Sequence, residues 1–207
     1  MAIKPILFNT EMVRAILDGR KSCAREICKD SNEYTVPDMD FYDADRRTYA
    51  VHNYADKEHT DKLSTAERTC PICPGDILYI RETWYKDKYR YMYRANYSDS
   101  EKFYRDGKEV KIKWHPSIHM PKEAARIWLK VTDVRVERLQ EITSEQIYKE
   151  GVEVEEPHVL NGEEKRYAFS SLWNSTVKKS DIDRYGWDAS PWVWVIEFER
   201  CEKPEGV

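Results

Sequence analysis

Hydrophobic and polar residues alternate along this chain more often than they recur at helical spacing, and that alternation predicts strands. Residues 3–8 (Ile-Lys-Pro-Ile-Leu-Phe) read as a first strand. A short helix follows: Thr10 can cap it, Glu11 suits its positive end, Met12, Ile16 and Leu17 share an apolar face, and Gly19 can stop it. Pro74-Gly75-Asp76 turns into an apolar run over 77–82, a core strand. Residues 89–97 alternate aromatic and polar side chains as a half-exposed strand does, and Asp106-Gly107 predicts a hairpin turn into 109–113. Over 125–136, Ile127, Leu129 and Val131 lie on one face before the alternation slips near Asp133, which predicts a bulge. Thr143-Ser144-Glu145-Gln146 fits a capping box, and its helix should end at Gly151 with Glu150 in the last turn. Trp192, Trp194, Ile196 and Phe198 share one face of a final strand.

Two stretches break the pattern. Residues 29–69 are polar and aromatic without a sustained apolar period, which predicts a surface insertion, either a lid or a partly disordered loop, with a small hairpin near 48–54. Residues 153–170 read as a second loop, with Glu153, Glu155 and Glu156 a solvated acidic patch. Strands outnumber helices and are joined by turns rather than helical crossovers. The expected fold class is therefore mainly β (α+β): a small antiparallel-rich β-barrel with short flanking helices and a long polar insertion, in one domain over 1–207.

Composition narrows the partners. Charged residues make up 35% of the 207 positions but the net charge is only −4, so no global field draws the chain to nucleic acid or membrane, and any such contact must be local. No window approaches the ~18 apolar residues of a membrane span, and the first residues lack a signal-peptide layout, so a cytoplasmic, membrane-free protein is expected. Five cysteines, an odd number, point to reduced thiols. Nothing asks for a cofactor. Cys23, Cys28, Cys70 and Cys73 form the inventory of a structural zinc site, but only the Cys70–Cys73 gap has usual ligand spacing, and unliganded thiols are the favoured reading. His115 and His119 stand four apart with Pro116 between them, which is unsuited to a helical metal pair.

Gly19-Arg20-Lys21-Ser22-Cys23-Ala24-Arg25 places three cations and two weak nucleophiles just after the first helix. Together with LFNTEMVRAILDGRKS (6–22), PGDILYIRETW (74–84), YRA (93–95), WHPSIHMP (114–121), ARIWLKVTDVRVERLQEIT (125–143), EGV (150–152), LWN (172–174) and WVWVIEF (192–198), this stretch resembles the ASCH domain family, in particular its longer phage and prophage members. The resemblance implies a PUA-like barrel, a bacterial host cytoplasm, and binding or processing of RNA or nucleosides. One compact branch of the family hydrolyses the acetyl amide of N4-acetylcytidine with a lysine, a threonine and a glutamate. The lysine corresponds to Lys21 and the glutamate to Glu150; the threonine falls at Ala24, leaving Ser22 and Cys23 as the nearest nucleophiles. Where many members carry a second arginine, Glu26 follows Arg25.

Lys21 is read as a partly desolvated amine that acts as a base or holds a carbonyl or phosphate oxygen. Glu150 is read as a general acid, and Ser22 or water as the attacking group of an N4-acylcytidine amidohydrolase. Arg25, Arg81 and Arg126 could offer planar forks to a ligand, Glu82 is a further candidate ligand-binding residue, and Trp114, Tyr93 or Trp84 could stack on a base; the structural alternative is that Arg81 and Glu82 pair across strands. The Ser117, His119 and Met120 loop is expected to line the ligand pocket. The expected partner is RNA or a modified pyrimidine nucleoside; a non-enzymatic reader of modified bases and a phage accessory or structural protein remain the alternatives.

Overall fold

The structure is a computed structural model that describes residues 1–29, 35–105, 107–153 and 163–206, without the side chains of Asp40 and Phe41. Asp106, Glu155 and Glu156, named above for a turn and an acidic patch, lie outside the described residues. In chain order the elements are β1 (Ile3–Leu7), α1 (Thr10–Leu17), β2 (Cys23–Ile27), β3 (Thr35–Asp43), β4 (Thr48–Tyr54), β5 (Lys62–Thr69), β6 (Ile77–Arg81), β7 (Trp84–Lys86) and β8 (Tyr91–Tyr93). There follow β9 (Phe103–Arg105), β10 (Lys108–Val110), β11 (Trp128–Arg138), α2 (Ser144–Lys149), α3 (Glu163–Thr176), α4 (Ile182–Tyr185) and β12 (Trp192–Cys201). The fold is α+β and mostly β. The chain packs as two units: Met1–Lys21, Gly75–Lys130 and Glu199–Val207 form the first, and Ser22–Pro74 and Val131–Phe198 the second.

In the first unit β1 pairs with β6 in parallel, Ile3 opposite Ile77, and β6 pairs antiparallel with the start of β11, Leu78 opposite Leu129. The apolar alternation places Ile6, Leu78, Ile80 and Leu129 in the core with Val13 and Ile16 of α1. Asn9, not Thr10, caps α1 by accepting from the Met12 N–H at 2.8 Å, and Gly19 ends it at φ 75°, in the left-handed region glycine favours. Asp76 is fully buried; it accepts from the Ala2 N–H at 2.8 Å and pairs with Lys4 at 3.4 Å. In place of one long half-exposed strand, residues 89–97 form the short β8, paired with β7, and a 3-10 turn over Arg94–Asn96.

In the second unit β12 pairs antiparallel with β2, Ile196 opposite Ala24 and Glu197 opposite Cys23. The capping box at Thr143 and Gln146 forms as expected, and Glu150 is the C-cap residue of α2. Leu139, Ile142, Ile147, Phe169, Trp173, Val193 and Val195 make a shared core with Cys23. The in-out alternation of β11 slips where expected, with Thr132 and Asp133 both exposed in succession.

Three expectations need correction. Among the described residues the strand orders are open and no closed barrel is present. Residues 35–69 are an antiparallel three-stranded sheet, β3-β4-β5, rather than a loop with one hairpin. The apolar signal there was brief, Tyr49 to Val51, but it suffices because Tyr49 is 1% exposed and meets the Trp194 ring edge-on at 4.8 Å. The 153–170 segment contains the start of α3, a helix whose buried contacts are only Phe169 and Trp173, too sparse to stand out as an apolar period. No described helix is long and apolar enough to cross a membrane.

Candidate functional site

In the second unit the turn after α1 leads into β2, and β2 sends Arg25 inward. Its side chain is 1% exposed. A buried guanidinium must be paired, and two carboxylates meet it: Glu150 Oε1 accepts from Nη1 at 2.9 Å and Glu137 Oε2 from Nη2 at 3.2 Å. Glu137 is the hub of this network, because its oxygens also accept from Arg135 Nε at 2.6 Å and from Gln146 Nε2 at 3.2 Å and 3.4 Å. Arg135 in turn donates to Glu197 at 2.7 Å and Asp133 at 3.1 Å. Burial opposes charge on Arg135, but its bonds to Glu137 and Glu197 outweigh burial and hold it more firmly protonated than an ordinary arginine. Cys23 Sγ lies 3.9 Å from both Glu150 Oε1 and Arg25 Nη1. Ser22 is fixed through its backbone: its N–H donates to Lys149 O at 2.9 Å and its carbonyl accepts from the Phe198 N–H at 3.0 Å.

Thus Arg25, Glu150 and Cys23 come together, and Ser22 is tied to the residue before Glu150. The fork expected of Arg25 is already used by protein carboxylates. Ala24 is buried, 4% exposed, and carries no hydroxyl. Glu137, Arg135, Gln146 and Glu197 were not singled out from the sequence. Their signal was faint: charged residues placed on otherwise apolar strands β11 and β12, where a partner is required.

In the first unit Lys21 is 4% exposed, with its N–H bonded to Ala15 O at 3.0 Å and its amine 5.5 Å from the centre of the Phe8 ring. Glu82, 1% exposed, takes a bidentate pair from Arg126, Nε to Oε1 at 2.8 Å and Nη2 to Oε2 at 3.0 Å. Arg126 also donates to Asn96 at 2.8 Å and lies 4.1 Å over the Tyr93 ring. The expected Arg81–Glu82 pair is not what forms. Successive strand residues face opposite ways, so Arg81 instead donates to the carbonyls of Met120, at 2.8 Å, and Ile118.

That clamp fixes the 117–120 loop. His119 is exposed and Ser117 half-buried, whereas Met120 is a core residue rather than a lining one: it is 1% exposed, and its sulfur accepts from the Glu82 N–H at 3.2 Å. Trp114 packs among Tyr97 and Phe103 at 5.8 Å and 6.0 Å, with Arg94 over its ring. It borders a groove of about 310 Å³ lined by Lys111 and by Lys102 and Arg94, the last two paired to Glu109 and Asp99. Trp84 lies tilted against His115, their ring centres 5.0 Å apart.

The five cysteines are free and four are buried. Cys70 Sγ donates to Ile72 O at 2.8 Å and Cys73 Sγ to Cys70 O at 3.6 Å. Burial and a bond to Cys73 push the Tyr42 phenol above its usual range. Among the described residues no three His, Cys, Asp or Glu side chains converge as metal ligands would. Comparisons with family models, with curated proteins and with solved structures find no significant match for this chain.

Proposed function

We propose that this chain is an ASCH-type protein that binds RNA or a modified pyrimidine nucleoside, with Glu150 and Arg25 at the site; the resemblance also gives Lys21 a ligand-binding role. One observation carries the reading: Glu150, the carboxylate the resemblance selects, is 7% exposed and is oriented by a guanidinium that is itself buried. A solvated helix-end glutamate would need no such partner. Keeping a carboxylate and a guanidinium out of water costs free energy, and functional sites are among the places where proteins bear that cost, which supports the reading.

Binding is the better-supported form of the activity. Hydrolysis of an N4-acyl amide on cytidine would need an attacking group, and Ala24 supplies none, so Ser22 or water would have to act with Glu150 as the proton carrier. A phage accessory role in the host cytoplasm fits a reader of modified bases. Purified protein incubated with acylated and methylated nucleosides and short RNAs, followed by thermal shift and mass spectrometry, tests the proposal. Stabilisation without product is the expected result, lost in Lys21→Ala and Glu150→Gln variants that keep their circular dichroism. Turnover would establish the hydrolase, and silence with every probe would leave only the structural role.

A further inference from the structure

The chain carries a net charge of −4, but residues 84–114 hold nine Lys and Arg against five Asp and Glu, together with nine of the 26 Trp, Tyr and Phe. Any draw toward a polyanion is concentrated there. The segment forms two hairpins in the first unit, β7–β8 and β9–β10, whose strands bury only Met92. At the tip of the first, Asp87 Oδ1 accepts from the Tyr89 N–H at 2.7 Å and the Arg90 N–H at 2.8 Å, which fixes the turn that presents Lys88, Tyr89 and Arg90. Tyr89 is 84% exposed, with Lys88 Nζ 5.5 Å from its ring centre, and on β9 Tyr104 is 65% exposed beside the exposed Arg105. The Asp87 carboxylate lies below its ordinary range, first through the bonds from the Tyr89 and Arg90 backbone and further through the charges of Arg90 and Arg105, so the cations of the two hairpins share one neighbourhood. We infer that these hairpins form a binding surface for single-stranded nucleic acid, with Lys88, Arg90 and Arg105 holding phosphates and Tyr89 and Tyr104 stacking on unpaired bases. The inference rests on the proposed binding of RNA, and it names a surface for the strand.

Three observations select this occupant. Among the described residues no carboxylate lies within ion-pair distance of Lys88, Arg90 or Arg105, whereas Lys102 and Arg94 are paired to Glu109 and Asp99. Exposed cations of this kind trade their hydration for phosphate, and the counterions released from the strand favour the exchange. The exposed rings are tyrosines, and no Trp, Phe, Met, Val or Ile of 84–114 is exposed, so a lipid bilayer would find no apolar side chain to take up. A tyrosine face stacks on any base but needs that base unpaired, which favours a single strand over a duplex. The groove beside Trp114 is a poorer place for phosphate. Its lining balances Arg94, Lys102 and Lys111 against Asp99, Glu101 and Glu109.

The test follows the fluorescence anisotropy of a labelled oligouridine of about 12 nucleotides with the full chain across a salt series, beside the same strand annealed to its complement. The single strand should bind more tightly than the duplex. Lys88→Ala, Arg90→Ala and Arg105→Ala should each flatten the slope of log affinity against log salt by about 0.7, one phosphate apiece. Tyr89→Ala should weaken binding roughly five- to a hundredfold with the slope unchanged, and Tyr89→Phe, which keeps the ring, should bind like the parent. These side chains lie at the surface, so every variant should keep the parent's circular dichroism and melting temperature. Unaltered affinity and slope when Lys88, Arg90 and Arg105 are all alanine, or a duplex bound as tightly as the strand, would overturn the inference. So would sedimentation with phosphatidylserine vesicles in place of strand binding, which would make the surface a membrane contact. Strand binding that Glu150→Gln abolishes and the hairpin variants leave intact defeats the inference and keeps the proposed function, as does the absence of strand binding while nucleosides still raise the melting temperature. Strand binding that needs the hairpins but not Lys21, Arg25 or Glu150 supports the inference and defeats the proposed site; silence with strand and nucleoside defeats both.

Discussion

Replacing Arg126 by alanine should destabilise the first unit more than any loss of ligand contact would suggest. Glu82 is 1% exposed and depends on two charge-assisted bonds, at 2.8 Å and 3.0 Å, from a guanidinium that is one-quarter exposed. Removing one partner of a buried ion pair costs about 3–5 kcal/mol, and the exposure of Arg126 argues for the lower end. Loss of the guanidinium from the Tyr93 face, at 4.1 Å, adds about 0.5–1 kcal/mol, so the total is about 3–4 kcal/mol. Replacing Glu82 and Arg126 together by methionine removes the stranded charge along with its partner, and should recover most of that loss. Urea unfolding followed by tryptophan fluorescence, with the single and double variants as a cycle, measures each quantity. If Arg126→Ala stays within about 1 kcal/mol of the parent, Glu82 finds another solution, and the argument from burial fails.

Tyr49→Ala should cost about 3–4 kcal/mol, because it empties a buried aromatic site against Trp194; a smaller loss, below about 1 kcal/mol by the same unfolding assay, would mean that the β3-β4-β5 sheet is not packed as described. Gly186→Ala should lower stability by about 1–3 kcal/mol, since a Cβ would come within 2.5 Å of the Ile182 carbonyl oxygen in the turn closing α4; an unchanged melting temperature would refute it. Burial and then Glu199 raise the Cys201 thiol above its ordinary value, so its thiolate fraction at pH 8 is lower than that of a free cysteine. Iodoacetamide should therefore label Cys201 before the four buried thiols, yet more slowly than glutathione, with a rate that still climbs above pH 9; peptide mapping across pH checks the order and the trend.

Local rules were enough wherever a feature is written in neighbouring residues. The capping box at Thr143 and the stop at Gly19 both follow from contacts within a few positions. The β3-β4-β5 sheet was harder, because its strands bury little and their pairing is shown by partners across the sheet rather than by composition along it. Polar residues such as Asn53 and Ser64 pair as well as apolar ones there. The site divides in the same way. Lys21 and Glu150 were singled out through the resemblance, but Glu137 reaches Arg25 over 112 positions of chain, and no local spacing encodes a bond of that span. Arg25, Arg81 and Arg126 were legible as cations and misread as free forks, since only the fold reveals that carboxylates and carbonyls already occupy them.

The strand pairing also sets a timetable for synthesis. Ile3 must wait for Ile77, and Ile27 for Val193, before either has its partner. At a ribosomal rate of about 5–20 residues per second, β1 stands unpaired for roughly 4–15 s and β2 for roughly 8–33 s, long enough for exposed strand edges to meet other chains. Because β2 carries Arg25, the buried network cannot assemble until almost the whole chain has left the ribosome. Premature termination anywhere before β12 would release a nascent protein whose best-buried arginine is still in water.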